Sequence, residues 1–215
     1  YPKPRGRHGD DGLKIGREGL DPVFDFIDEA HKQKKPFFVW YAPFLPHTPH
    51  TPPAHLFDKY KELVDSEFVA KYYAMCEWFD ETCGQFLDGL ESRGVRNNTM
   101  VVYVTDNGWI QREDRNGYGR HSKRSPYEAG TRTPIIFSWP GKIAPSDRPE
   151  LCSSIDIVPT ILAAANASGA SNLPGLDLLP ALQRGKKIRR NTLFGESFAL
   201  DIADIHNPEA SLLYR

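Results

Sequence analysis

The chain has 215 residues, with 27 Lys plus Arg against 28 Asp plus Glu and a formal net charge of −1. That balance excludes the basic footprint of a nucleic-acid binder and the solvated character of an acidic tail. Hydrophobic residues make up 40%, including 4 Trp, 9 Tyr and 12 Phe, which excludes a disordered chain, and no stretch approaches the ~18 apolar residues of a membrane span.

Residues 1–20 mix glycines with charges and show no apolar period, so a loop is expected there. Asp21-Pro22 predicts a helix start, with Asp21 as N-cap and Pro22 at the first helical position. Val23, Phe24, Phe26, Ile27 and Ala30 mark its buried face, and Lys32, Lys34 and Lys35 suit its end before Pro36. The apolar run 37–42 predicts a strand covered on both faces, as in a parallel sheet. A stiff loop with five prolines follows, from Pro43 to His55.

The spacing of Phe68, Tyr72, Cys76, Phe79, Cys83, Phe86 or Leu87, and Leu90 predicts a long helix over 66–93, with Gly94 as its left-handed cap. Residues 99–105 predict a second buried strand and 135–139 a third, ended by Pro140-Gly141. Asp156 is expected to cap a helix running to Ala165, and a short fourth strand is expected at 192–196. Long helices alternating with strands predict an α/β fold, a mostly parallel sheet sandwiched by helices. Cys76, Cys83 and Cys152 have no zinc spacing and allow at most one bridge, and Cys76 and Cys83 read as buried thiols on the helix stripe.

Ligands of open parallel sheets sit beyond the carboxyl ends of the strands. Two polar groupings stand there: Pro46-His47-Thr48-Pro49 with His50 after the first strand, and Asp106-Asn107-Gly108 after the second. A carboxylate beside an amide oxygen offers hard ligands that suit calcium or magnesium better than zinc, with Gly108 allowing a sharp turn and room for a ligand. The same three residues also read as an ordinary turn, and Lys123 as a solvated surface charge.

Taken together, these segments resemble the sulfatases of the alkaline phosphatase superfamily. Four stretches carry the resemblance: Phe37 to Pro49; the helix and strand from Tyr73 to Thr105; Thr105-Asp106-Asn107-Gly108; and Lys123 to Pro134, where Tyr127-Glu128-Ala129-Gly130-Thr131-Arg132-Thr133-Pro134 matches Tyr-Glu-Gly-Gly-x-Arg-x-Pro. Trp139-Pro140-Gly141-Lys142-Ile143 and Asp156-Ile157-Val158-Pro159-Thr160 continue it. The resemblance implies an alkaline-phosphatase-like partial domain. Residues 21–200 would be the C-terminal part of the catalytic domain, and 201–215 the start of a further segment.

It also implies roles. Asp106 and Asn107 match ligands of a divalent cation, usually calcium, with magnesium as another candidate. His47 and Lys123 match the residues that contact the sulfate and its ester oxygen. The implied activity is hydrolysis of a sulfate ester on a small molecule or glycan, with no nucleic-acid partner and a periplasmic, secreted or lysosomal location. Ala129 departs from the family's Gly. The nucleophile motif, a Cys or Ser destined to become formylglycine within Cys/Ser-x-Pro/Ala-x-Arg, matches no segment of this chain, so it is expected upstream of Tyr1 and the 215 residues alone are expected to be silent. The alternatives are a phosphonate or phosphate monoester hydrolase of the same superfamily and a non-catalytic relative that binds sulfated glycan.

Overall fold

Helix α1 (Asp21–Lys32) begins one residue earlier than expected: Leu20 is the N-cap, Asp21 and Pro22 occupy the first two helical positions, and no side chain caps the end. The Pro22 ring fits because the first helical N–H groups have no intrahelical acceptor. At the other end Lys34 takes a left-handed φ of 53°, and Lys35 N–H reaches Ala30 O at 2.9 Å. The helix therefore stops by a backbone reversal before Pro36 is reached. Ile27 is fully buried, whereas Phe26 is exposed.

The computed structural model describes residues 14–169 and 172–195. These fall into two units, one formed by the chain up to Arg96 with Gln111–Gly117, the other by Asn97–Ile110 and the chain from Tyr118 onward.

In the first unit, α1, α2 (Ala54–Lys61) and α3 (Glu67–Ser92) supply the framework. Ser66 caps α3: its hydroxyl accepts from Val69 N–H at 3.3 Å and donates to Glu113 O at 2.7 Å. The fully buried line of α3 is Ala70, Ala74, Met75, Thr82 and Leu90. Of the expected stripe only Leu90 lies on that line, and the aromatics and both cysteines flank it half-buried. Small side chains at the centre let neighbouring elements approach closely, and the rings close over the sides. Phe24 from α1 stacks on Phe86 at 6.0 Å and lies against Gly89, where any side chain would collide with its ring. Arg93 closes this corner, 4.3 Å above the Phe24 ring and paired with Asp28 at 2.7 Å.

The expected strand at 37–42 is not formed among the described residues. Exposure alternates along it: Phe37, Val39 and Tyr41 are half-buried, while Phe38 is 65% and Trp40 84% exposed. An apolar run specifies neither a hydrogen-bonding neighbour nor a second covered face, and here one side alone is packed. Tyr41 anchors that side, stacked on Phe86 at 5.7 Å with its hydroxyl 3.3 Å from Thr82 Oγ1.

In the second unit, β1 (Val101–Val104) and β2 (Ile135–Ser138) pair antiparallel, with Val101 opposite Ser138 and Val104 opposite Ile135. The mixed helix and strand of an α/β chain is present, but the one strand pair among the described residues is antiparallel rather than parallel. The short helix α4 (Glu128–Thr131) leads into β2. Trp139 follows β2, buried, its indole N–H donating to Asn97 O at 3.1 Å. Ser153 and Asp156 form a reciprocal cap around the 3-10 turn Ser154–Asp156, which opens α5 (Ile157–Ala164). Asp156 stands at the expected N-cap of α5, but its side chain makes no bond to that helix. It accepts instead from Ser153 N–H and Leu176 N–H and pairs with Arg190. Helix α6 (Leu179–Arg184) ends at Gly185 with φ 65°. Residues 192–195 form no strand, and position 196 of the expected strand lies outside the described residues.

Candidate active site

Asp106-Asn107-Gly108 follows β1 after the single residue Thr105. Asp106 is exposed, and its Oδ1 accepts from Asn107 N–H at 2.9 Å. Asn107 donates its amide N–H to Gly108 O at 3.0 Å, which reserves the oxygen end of the side chain for an acceptor role.

Gly108 serves a purpose different from the expected one. Its φ is not left-handed, and a β-carbon there would lie 2.0 Å from Ala129 O. The space is filled by backbone rather than by a ligand, and Gly108 N–H donates to Gly130 O at 2.9 Å. Gly130 repeats the arrangement one layer further, since its β-carbon would fall 2.3 Å from Ser122 O and 2.5 Å from Ser125 O. Ser122 is fully buried and donates to Gly119 O at 2.7 Å, while Ser125 donates to Ser122 O at 2.7 Å. Two glycines and two serines thus weld the 106–108 turn to the 119–130 loop.

That loop presents Lys123. His121 and Arg124 on either side take left-handed φ values of 61° and 63°, unusual for residues with a β-carbon. His121 is held by an edge contact to Tyr127 at 4.1 Å. Lys123 is half-buried with Nζ 5.6 Å from the Trp109 ring, the residue directly after Gly108. The ammonium and the 106–107 oxygens are therefore carried by segments locked together through backbone contacts. Sequence reasoning missed Trp109, Ser122 and Ser125. The paired glycines at 108 and 130 were visible, but their mutual contact is a tertiary fact.

His47 lies in the first unit, half-buried in the Pro-rich loop. Its backbone N–H donates to Phe44 O at 2.6 Å, and Phe44 meets the ring edge-on at 6.1 Å. Nδ1 lies 2.9 Å from Thr48 O and 3.2 Å from the Thr48 hydroxyl, which together orient the ring. Arg17 clamps the loop beyond it, donating to Thr51 Oγ1 at 2.9 Å and Pro49 O at 3.2 Å and lying over Trp78 at 5.4 Å. His50 is buried against Tyr72 at 5.7 Å. Burial, helped by nearby His47 and Arg17, pushes its pKa below the ordinary value.

The donor chemistry at 106–107 fits a hard divalent cation as part of a coordination shell. No cluster of three or more His, Cys, Asp or Glu occurs among the described residues to complete it. The three thiols are unpaired, and burial raises the pKa of each, the opposite of what a nucleophilic Cys needs. No described helix is long and apolar enough to cross a membrane.

The family model described as Sulfatase matches residues 17–167. An uncharacterized sulfatase, YdeN, of Escherichia coli K12 is 32% identical over 179 residues, covering 80% of this chain and 32% of that protein. Human arylsulfatase A is 30% identical over 180 residues, covering 79% of this chain and 33% of its own length. The crystal structure of Ps i-CgsB in complex with k-i-k-neocarrahexaose aligns with a TM-score of 0.63 at 26% identity, over 79% of this chain and 38% of that one. The chain thus spans about a third of the length of the curated relatives it matches.

Proposed function

Because this chain belongs to the sulfatase family, we propose that it supplies one side of the active site of a hydrolase acting on sulfate esters. The observation that carries this reading is the welded arrangement of Asp106-Asn107-Gly108 with the loop bearing Lys123. It places two hard oxygen donors and a cationic side chain on one rigid support, which is what developing negative charge on a tetrahedral anion requires.

Asp106 and Asn107 would hold calcium or magnesium together with further ligands. Such an ion supplies charge neutralisation at the sulfate oxygens. Lys123 binds a sulfate oxygen and stabilises the charge that builds on the ester oxygen as the S–O bond breaks. His47, its Nδ1 beside Thr48, would meet the sulfate or the leaving oxygen as an N–H donor. The sulfur-attacking nucleophile belongs to a motif this chain does not contain. The likeness to a structure solved with k-i-k-neocarrahexaose supports a glycan as one candidate substrate, and the likeness to arylsulfatase A supports an aryl sulfate as another.

The test uses the full-length protein on 4-nitrophenyl sulfate with calcium present. Asp106→Ala is expected to remove turnover by ~10³-fold or more, with poor rescue by added calcium. Unchanged turnover in that variant would remove the metal assignment.

A further inference from the structure

Beyond the catalytic groups, the second unit carries a concentrated basic surface. Lys186, Lys187 and Arg189 lie exposed on the segment after α6 and line a cavity of about 160 Å³ with Asp177 and Pro180. None of the three has an ion-pair partner among the described residues, although the chain as a whole is nearly neutral.

The backbone beneath them is fixed. Gly185 reverses the chain at the end of α6. Arg148, paired with Glu150, donates to Lys186 O at 3.3 Å and Ala181 O at 3.5 Å. Arg190 is tied to buried Asp156 by bonds of 2.5 and 2.8 Å. Residues 186 and 190 are thus anchored to the body of the unit, while Lys187 and Arg189 between them remain exposed. The single carboxylate in the cavity, Asp177, is occupied in accepting Leu179 N–H at 2.9 Å. Three cations against one engaged carboxylate leave a net positive recess on a preorganised support.

We infer that the 186–189 segment is an accessory docking site for anionic groups of a sulfated polysaccharide, separate from the bond-cleaving groups. The cavity is well below the ~300–1,000 Å³ that encloses a whole small-molecule ligand, so it admits a substituent rather than a sugar ring. The choice of a sulfated polymer rests on the sulfatase reading above; the existence of an anion-docking surface does not.

The experiment measures binding of the full-length protein to dextran sulfate, unsulfated dextran and a DNA oligonucleotide, alongside turnover of 4-nitrophenyl sulfate. Wild type is expected to bind dextran sulfate in a salt-dependent way and dextran not at all. Lys187→Ala/Arg189→Ala is expected to weaken that binding about tenfold or more, with the melting temperature and aryl sulfate turnover unchanged. Lys187→Arg/Arg189→Lys should retain it. Equal binding by wild type and the alanine variant overturns the site. Equal binding of DNA through the same two residues overturns the assignment to sulfated glycan. If wild type binds dextran sulfate through these residues but turns over no sulfate ester, the docking site stands and the catalytic reading fails.

Discussion

Burial separates the two histidines of the Pro-rich loop. His47 is half-buried with its ring oriented by Thr48, whereas His50 is packed under the loop against Tyr72. In the full-length protein His47→Ala is expected to lower kcat by ~10²-fold or more, while His50→Ala lowers the melting temperature before it affects rate. A greater kcat loss at His50 would transfer the sulfate contact to that residue. The pH dependence has a definite sign. The folded pKa of His50 lies below its ordinary value of 6.5, so the unfolded chain binds the proton more readily. Stability from this residue is complete above that ordinary value and is lost as pH falls through the window between it and the folded value. Melting temperatures measured from about pH 7.5 down to about pH 5 should fall, and His50→Gln should flatten that slope. A slope unchanged in the variant would assign the effect to another group.

At the scale of elements, the 119–130 loop depends on two glycines that face backbone oxygens rather than flexible side chains. Gly130→Ala places a methyl group 2.3 Å from Ser122 O, so the loop has to shift, at a cost of about 1–3 kcal/mol. Because that loop carries Lys123, the variant should raise KM for a sulfate ester together with its loss of melting temperature. Arg132→Ala is the contrast: its pair with Glu128 is fully solvated at both ends, so stability should change little. The helices were more legible than the strands. Gly94 as stop is local chemistry, and α3 ended within a residue of its expected bounds. The face of α3 that is buried, and the fate of 37–42, depended on partners that no local pattern encodes.

Across the whole molecule, contacts between residues far apart in sequence decide which local features persist. Asp156 and Arg190 are 34 positions apart, and Asp156 is fully buried. Desolvation pushes its pKa up, but the Arg190 hydrogen bonds and the Leu176 and Ser153 N–H groups outweigh it and hold the carboxyl below the ordinary range. Removing the cation strands that carboxylate, so Arg190→Ala should cost about 3–5 kcal/mol, read as a loss of melting temperature or of soluble protein. Near-wild-type stability would show that the two N–H donors suffice. By itself the sequence determined the family and the extent of the longest helix, because these follow from motifs in order and from the 3.6-residue apolar period. The tertiary structure alone decided that Gly108 makes room for a carbonyl, that Asp156 serves a distant arginine, that the described strands pair antiparallel and that Trp40 stays exposed. Each of these depends on which backbone arrives opposite, and a buried polar group or an unpaired strand edge is satisfied only by what the fold brings to it.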